Sequence, residues 1–346
     1  MPMPSLNLSR WILPLKAVAA MALALLTGLS MAAEPAAESA ASCPPPFSPP
    51  TPAEVQAMAP HMQDRGLLWR VQDGERTSWL YGTLHVGKRE WILPGRTILR
   101  AMVATDLLAL ELDVLNPQVM QQLIDGFQAR VDAPALPADL DARLAQQRKR
   151  TCAEHLSTQR PDAQLLGLVS QLGRKQGLVA EFGADLLLAG MAHALHKPVL
   201  GLESVQTQLE ELLSDDPLEV QESVRDGLDQ LEDPKSPQIL LQLANIWASG
   251  NERQLENYAD WCDCIKTERD RLKYARLMEG RNPGMAQGIA NQLKQGKTVF
   301  AAVGALHMVG PMGLPELLRQ KGYQVERVSF KLPPIQKSES KPIQTE

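Results

Sequence analysis

The amino-acid sequence predicts an α/β protein with a central β-sheet, flanking helices and a helical insertion between the two halves of the sheet. Short apolar runs typical of strands lie near both ends of the chain, whereas segments with helical periodicity fill its middle. A strand–helix–strand pattern then closes the sequence. The 346 residues are 44% hydrophobic and 22% charged, which is typical of a globular protein and excludes a disordered or multi-span membrane protein.

The charge balance bears on possible partners. The formal net charge is -5 and the isoelectric point is near 5.8, so no basic excess marks a nucleic-acid-binding surface. We therefore expect no nucleic-acid partner, and the sequence leaves the oligomeric state open.

Residues 1–32 have the pattern of a secretory signal peptide. Arg10 and Lys16 form a basic segment before an uncharged apolar run over residues 17–29. Small residues after the run allow cleavage after Ala32. The run is too short for a membrane span, and no second long apolar segment follows. We therefore expect a periplasmic or secreted protein without a membrane span after cleavage. A lipoprotein is disfavoured because Cys43 lies too far from the apolar run.

The domain organisation follows from composition. An Ala/Pro-rich, flexible lead-in is predicted over residues 33–60, and one α/β domain over residues 61–330, with its helical middle at about 116–280. The polar residues 331–346 are predicted to form a disordered tail.

Export makes the cysteines candidates for disulfide bonds. A bond between Cys262 and Cys264 would close a very small ring, so we expect Cys43 and Cys152 each to bond to one member of that pair. The alternative is a thiolate metal site, which is weakly supported without a second close pair or a neighbouring histidine.

The strands are predicted from short apolar runs bounded by turn residues. Asp73 and Gly74 indicate a hairpin between the first two. The predicted strands are Leu67–Val71, Thr77–Tyr81, Leu107–Leu112, Pro198–Leu202, Thr298–Val303 and Tyr323–Ser329.

The helices are predicted from apolar residues at three- and four-residue spacings. Asn251 and Asn282 are predicted helix caps, the second with a proline in the favoured first position. The predicted helices are Met120–Arg130, Asp139–Leu156, Ala184–Leu195, Gln206–Leu231, Gln238–Ile246, a helix from Asn251 toward Met278, one from Asn282 to about Gly296, and Leu314–Lys321.

Two predicted strands run directly into the pattern Gly-x-x-His. The first pattern ends at His85 and the second at His307, far apart in the chain. Loops at the carboxyl ends of strands line the ligand crevice of open α/β sheets, so both histidines are candidates for that crevice. Gly190 and His193 repeat the spacing inside a predicted helix, and we interpret that match as chance. A hydrogen-bonded structural histidine is the alternative for each position.

The other two short strands end in acids. Glu111 follows one and Glu203 the other, and a buried carboxylate needs a partner, a metal or a proton. Two imidazoles and two carboxylates form a plausible ligand set for a divalent ion such as zinc, manganese or cobalt. Such an ion lowers the pKa of bound water and polarises carbonyl groups, and a glutamate can serve as general base. Strand-end acids that reach solvent or a helix N-terminus are the alternative.

Further polar residues have weaker support. Arg281, just before the Asn282 cap, is a candidate for holding a carboxylate or stabilising developing negative charge, with an ordinary surface arginine as the alternative. Asp185 is interpreted as a helix cap, and His193 and His196 as structural histidines at a helix end.

At these residues the sequence resembles the TraB/PrgY/GumN family, which includes the eukaryotic Tiki proteins. The segments that carry the resemblance are Trp79–His85, Leu110–Asp113, Lys197–Glu203, Arg281–Asn282, Phe300–Gly310 and Gly322–Val325. The resemblance implies a fold related to the erythromycin esterase and ChaN-like proteins. It also implies that His85, His307 and Glu111 occupy the family's histidine and glutamate positions.

The resemblance also implies a function. Tiki proteins are metal-dependent proteases that use manganese or cobalt to cleave Wnt proteins, whereas ChaN-like proteins bind haem. We therefore expect a metal-dependent hydrolase that acts on a peptide or protein, with His85, His307, Glu111 and Glu203 as metal ligands and with Glu111 and Arg281 as catalytic residues. A periplasmic module that binds haem, a metal or a peptide without turnover is the alternative.

Overall fold

The sheet has six strands in the order β4-β3-β5-β2-β1-β6. In the computed structural model, which describes Cys43, residues 47–130 and residues 133–330, every predicted strand is present within a few residues of its predicted bounds. The strands are β1 (Leu67–Asp73), β2 (Arg76–Thr83), β3 (Leu107–Leu110), β4 (Val199–Gly201), β5 (Val299–Gly304) and β6 (Gln324–Val328). The predictions for the signal peptide, the first part of the lead-in and the C-terminal tail lie outside the described residues.

Four neighbouring strands run parallel, and this places their carboxyl ends at one edge of the sheet. β5 lies between β2 and β3 and pairs with both, while β3 pairs with β4 on its other side. Ala302 of β5 stands beside Tyr81 of β2 and Leu110 of β3, and Gly201 of β4 stands beside Leu110. β1 is antiparallel to both β2 and β6, and these strands close the other side of the sheet.

The helices confirm the α/β class, and most lie between β3 and β5. None of those in the described part of the chain combines the length and apolar character needed to cross a membrane. They are α1 (Pro52–Met58), α2 (Arg96–Ala104), α3 (Pro117–Phe127), α4 (Ala138–Thr151), α5 (Pro161–Ser170), α6 (Ala184–Ala194), α7 (Val205–Leu212), α8 (Pro217–Glu232), α9 (Ser236–Ala248), α10 (Glu252–Glu256), α11 (Tyr258–Trp261), α12 (Glu268–Ala275), α13 (Asn282–Lys294) and α14 (Leu314–Gln320).

Two predicted helices are divided into shorter ones, and the helix predicted over residues 139–156 ends at Thr151 because Cys152 takes a left-handed conformation. The helix predicted over residues 206–231 is divided into α7 and α8, because Asp216 caps a new helix that begins at Pro217. The helix predicted from Asn251 toward Met278 is divided into α10, α11 and α12, with a π-helical turn, Arg276–Gly280, at its end.

Three helices were not predicted. α1 lies inside the predicted flexible lead-in, where Thr51 and Glu54 form a capping box. α2 and α5 also lie in segments for which the sequence analysis proposed no helix.

The hydrophobic core lies on the sheet. Leu80, Leu108 and Phe300 from three adjacent strands are fully buried, and helices α2, α6, α9, α13 and α14 contribute to the same cluster. A separate cluster holds the helical middle together, with Leu144 from α4, Leu168 from α5 and residues of α8. The helical middle therefore has its own apolar core, separate from the core on the sheet.

The disulfide pairing corrects the expectation. Cys43 bonds to Cys152, and Cys262 bonds to Cys264. The small ring between the latter two is possible because Asp263 takes a left-handed backbone conformation, with φ of 53°, which turns the chain sharply between them. The Cα atoms of these two cysteines consequently lie 5.1 Å apart, within the usual range for a disulfide.

Candidate functional site

Three of the predicted site residues converge on the backbone of Gly304, at the carboxyl end of β5. A Cβ atom placed on Gly304 would lie 3.3 Å from Oε1 of Glu111, 3.4 Å from Cδ2 of His307 and 3.9 Å from Nε2 of His85. The side chains therefore surround one point, although they come from three strands. The parallel register explains this, since Thr83 near the end of β2 stands beside Gly304.

His85 lies at the exposed rim of the site, and Asp185 holds its ring. Nδ1 of His85 is 3.1 Å from Oδ2 of Asp185, at the start of α6. The charge of Asp185 raises the pKa of His85 and outweighs partial burial, although the 67% exposure of the ring limits the effect. The contact requires Gly183, because a Cβ there would lie only 2.6 Å from the carbonyl oxygen of His85. Asp185 thus orients the ring, rather than capping its helix as predicted.

His307 lies at the buried side of the site, with only 3% of its surface exposed. Its Nδ1 lies 2.7 Å from the side-chain oxygen of Asn282 and 3.2 Å from the carbonyl oxygen of Met278. Both partners are acceptors, so the ring carries its proton on Nδ1. Burial lowers the pKa of His307 and favours the neutral ring.

Glu111 is the carboxylate of the convergent set. Its Oε1 accepts a hydrogen bond of 2.9 Å from the backbone N–H of Gly304, and its Oε2 accepts one of 2.8 Å from Arg281. Burial alone would raise the pKa of Glu111, but His85, His307, the Gly304 N–H and Arg281 together lower it to about 2. The carboxylate is therefore ionised at any physiological pH.

Glu203 belongs to the same cluster but pairs with Arg281. Its Oε1 accepts from Nε of Arg281 at 2.8 Å, and its Oε2 accepts from Nη2 of Arg281 and, at 3.0 Å, from Gln208. The side chains of Glu203 and Arg281 are 5% and 10% exposed. Arg281 thus joins the two buried glutamates, and its fork geometry suits such paired recognition of carboxylates.

A cavity of about 310 Å³ opens beside this cluster. Its polar wall includes His85, Glu111, Asp185 and Arg281, whereas Leu112, Val114 and Leu212 supply an apolar side. A concave site with a few convergent polar groups and an apolar wall is the usual form of a small-ligand or substrate pocket.

The donor set allows a direct test of whether a metal ion would fit. Within the described residues, no three His, Cys, Asp or Glu side chains are already grouped to hold one ion. Still, the Nδ1 atoms of His85 and His307 are each held by an oxygen acceptor, which leaves their Nε2 atoms as potential ligands. This is the arrangement that metal-binding histidines usually have. The chemistry of these two imidazoles and Glu111 fits a divalent ion, because Arg281 binds only Oε2 of Glu111 and leaves Oε1 beside both rings. Arg281 instead binds both oxygens of Glu203.

Sequence analysis missed three residues of the cluster. Asp185 and Asn282 were interpreted as helix caps, and Gln208 was not considered. The sequence did contain a signal for two of them, namely their proximity to predicted site residues. Asn282 directly follows Arg281, and Gln208 lies on the helix that follows Glu203. The third Gly-x-x-His match lies apart from the convergent residues, as its His193 bonds to Asp113 at 2.9 Å.

The fold and the cluster define an α/β protein with two oriented histidines and a buried glutamate–arginine group at one edge of its sheet. The profile of the TraB/PrgY/gumN family matches residues 67–327, and the chain belongs to this family.

Relatives with curated sequences share most of this region. The chain is 28% identical over 259 residues to the uncharacterized protein YbaP of Shigella flexneri, covering 71% of this chain and 89% of the relative. It is 27% identical over 259 residues to the uncharacterized protein YbaP of Escherichia coli K12, with the same coverage. No solved structure matches the chain significantly.

Proposed function

We propose that this protein is an exported, metal-dependent hydrolase that acts on a peptide bond. The observation that carries the proposal is the convergence of His85, His307 and Glu111 around Gly304. Nδ1 of each ring is also hydrogen-bonded to a side-chain oxygen. In this proposal His85, His307 and Glu111 hold a manganese, cobalt or zinc ion. When bound, the ion would lower the pKa of a water molecule and polarise the carbonyl group that is attacked.

The residues of the chain have separate roles in this proposal. Asp185 and Asn282 orient the two rings and keep Nε2 available, because each accepts the proton on Nδ1. Glu111 acts as a ligand, because its Oε1 lies beside both imidazoles while the Gly304 N–H and Arg281 hold the carboxylate in its ionised form.

The remaining charged pair supports the ligand set. Glu203 holds Arg281, and Arg281 in turn holds Glu111 by a hydrogen bond of 2.8 Å. We assign Glu203 to this supporting role in place of the metal-ligand role that its strand-end position suggested. Arg281 keeps its charge beside the cavity, where it can stabilise negative charge that develops on the substrate.

Export is supported by the signal-like pattern of the N-terminus and by the two disulfide bonds, which persist in oxidising compartments. Cell fractionation followed by N-terminal sequencing tests it. We expect the mature chain in the periplasmic or secreted fraction, beginning after Ala32, and recovery of an uncleaved chain in the cytoplasm would contradict this part of the proposal.

The catalytic proposal is tested by measuring bound metal and peptide cleavage. We expect chelation to abolish cleavage and added manganese, cobalt or zinc to restore it. The variants His85→Ala and His307→Ala should bind metal at least about 100-fold more weakly, because each removes a ligand. His193→Ala is the matched control, since it removes a histidine of the same sequence pattern that bonds to Asp113 and is not among the residues that line the cavity.

Two outcomes would overturn the proposal. Equal cleavage by wild type and by well-folded His85→Ala and His307→Ala variants would exclude a catalytic role for the histidines. Saturable binding of haem, metal or peptide with no cleavage across a broad peptide library would instead establish the non-catalytic binding module.

A further inference from the structure

The two disulfide bonds differ greatly in what they connect. Cys43–Cys152 spans 109 residues and ties the N-terminal segment to the end of α4, whereas Cys262–Cys264 spans only 2. A cross-link stabilises a protein mainly by restricting the unfolded chain, and this effect grows with the length of the closed loop. The short link restricts very little chain, so stability alone gives a poor account of Cys262–Cys264.

The two sulfur atoms of the short link are unequally accessible. Cys262 is fully buried, whereas Cys264 is partly exposed at the surface between α11 and α12. Exchange begins when a thiolate attacks one sulfur along a path that it can reach. An incoming thiol therefore attacks Cys264, and Cys262 is the leaving group.

Hydrogen-bond donors lie beside both sulfur atoms. The backbone N–H of Cys264 donates to Sγ of Cys262 at 3.1 Å, and the hydroxyl group of Tyr258 lies 3.5 Å from Sγ of Cys264. Burial raises the pKa of Tyr258, so its hydroxyl group keeps the proton that it can donate. Donors of this kind favour a thiolate over a thiol, and a better leaving thiolate speeds exchange.

The backbone of the link also favours its opening. Asp263 has φ of 53°, a conformation that costs energy for residues with a side chain, and the ring holds it there. Nζ of Lys266 lies 3.1 Å from Oδ1 of Asp263 and offsets the negative charge of the carboxylate between the two cysteines. Reduction releases the turn, and the pairing of Asp263 with Lys266 reduces the repulsion between this carboxylate and a developing thiolate, so both effects favour the reduced form.

We propose that Cys262–Cys264 is a thiol–disulfide exchange site that oxidises dithiols of other proteins or peptides. One thiolate of the dithiol attacks Sγ of Cys264, the Cys262–Cys264 bond breaks, and Cys262 leaves with the electron pair and takes up a proton. The second thiolate then attacks the substrate sulfur of the mixed disulfide and expels Cys264 as a thiolate, which is protonated. Two electrons and two protons thereby pass from the dithiol to the cysteine pair. This activity is independent of the proposed hydrolase site.

A redox titration of the intact wild-type protein tests the proposal without any substitution. The oxidised protein is equilibrated with graded dithiothreitol, the thiols are alkylated, and each cysteine is quantified by mass spectrometry. We expect half-reduction of Cys262–Cys264 at a dithiothreitol concentration at least about tenfold below that for Cys43–Cys152, the internal control. Equal reduction of the two bonds, or greater resistance of Cys262–Cys264, would overturn the proposal.

A second experiment measures the activity itself. A synthetic peptide with two cysteines is mixed with the oxidised protein, and we expect one peptide disulfide per chain, with the new free thiols at Cys262 and Cys264. The variant Tyr258→Phe keeps the aromatic ring and removes the hydroxyl group, so we expect the equilibrium to shift about threefold or more toward the protein disulfide. A peptide that remains reduced, or free thiols that appear only at Cys43 and Cys152, would show that the short link is structural only.

Discussion

Nδ1 of His307 lies 2.7 Å from the side-chain oxygen of Asn282, the residue that directly follows Arg281. The side-chain nitrogen of Asn282 donates to the carbonyl oxygen of Met312 at 2.7 Å, so the amide is held on both sides. One turn of chain thus contributes the cation that holds Glu111 and the amide that orients a histidine. Arg281 belongs to the charged group with the two glutamates, and Asn282 orients the ring of His307, so two adjacent residues serve two different parts of the site.

Replacing Asn282 by alanine removes the acceptor for His307. Because Asn282 is buried, we expect Asn282→Ala to lower the free energy of unfolding by about 1–3 kcal/mol and to weaken metal binding by about 10–100-fold. Urea denaturation and metal titration measure the two effects. Asn291→Ala on the same helix is the control, since Asn291 is exposed and its side chain accepts a hydrogen bond from the side chain of Gln287 at the surface. Equal metal binding by both variants would contradict the orienting role.

A methyl group at Gly304 would occupy the point on which the site converges. The nearest atoms would be Oε1 of Glu111 at 3.3 Å and Cδ2 of His307 at 3.4 Å, close enough to push both aside slightly. We expect Gly304→Ala to fold with a loss of stability of about 1 kcal/mol and to lose at least about tenfold in metal affinity.

The control for this substitution is Gly284→Ala. Nothing lies within 4 Å of a Cβ at Gly284, which is in helix α13. We expect it to raise the free energy of unfolding by about 0.5–1 kcal/mol and to leave metal binding unchanged. Unchanged metal affinity in Gly304→Ala, measured by the same titration, would remove Gly304 from the site.

Arg281 is predicted to be the largest single contributor to the stability of the cluster. Arg281→Met leaves the buried carboxylates of Glu111 and Glu203 without their cation, and we expect a loss of about 3–5 kcal/mol in the free energy of unfolding. Arg269→Met is the control, because the two side chains of its ion pair with Glu222 are 47% and 50% exposed and the pair should contribute at most about 1 kcal/mol. Similar losses in the two variants would show that Arg281 does not compensate the glutamates.

Asp106 predicts a pH dependence of stability away from the site. Its Oδ2 accepts from the backbone N–H of Thr298 at 2.7 Å and from the Thr298 hydroxyl at 2.9 Å, and the backbone and side-chain hydrogen bonds lower its pKa. A lowered folded-state pKa contributes stability above the unfolded value of about 3.9, and this contribution is lost as the pH falls through the folded value.

We therefore expect Asp106→Asn to be less stable than wild type at pH 7 by at most about 1 kcal/mol, because Asp106 is exposed and solvent screens its interactions, with the difference shrinking as the pH falls below about 4. Urea denaturation across this range measures it. The exposed Glu75→Gln serves as the comparison for a loss of surface charge. A stability difference for Asp106→Asn that is constant with pH would exclude the titration of Asp106 as its cause.

The strands and the convergence of their ends were predictable because they depend on local patterns and simple topology. Short apolar runs specify buried strands, and parallel strands bring their carboxyl ends to one edge. We could select His85, Glu111 and His307 as candidate site residues because each lies just after a predicted strand. The family relationship was also visible in the ordered segments, and the profile match confirms it.

Other features depend on partners that lie far away in the chain. Helix α2 begins without a side-chain cap of its own, and Asp64, 33 residues before Thr97, accepts from the backbone N–H of Thr97. Asp185 has the sequence context of a helix cap, yet the docking of Gly183 against His85 turns its carboxylate to the histidine. The disulfide pairing was predicted wrongly because the left-handed turn at Asp263 is not evident from the residue type.

The direct pairing of β2 with β5 has a consequence for how this protein tolerates change. The strands that precede His85 and His307 are immediate neighbours in the sheet, although nearly all the remaining helices lie between them in the sequence. Backbone hydrogen bonds between these two strands set the spacing of the histidine backbones, so changes in the intervening helices would leave that spacing intact as long as α6 and α13 keep Asp185 and Asn282 against the rings. The part of the cavity wall that Leu212 of α7 supplies can therefore change while the histidine pair persists.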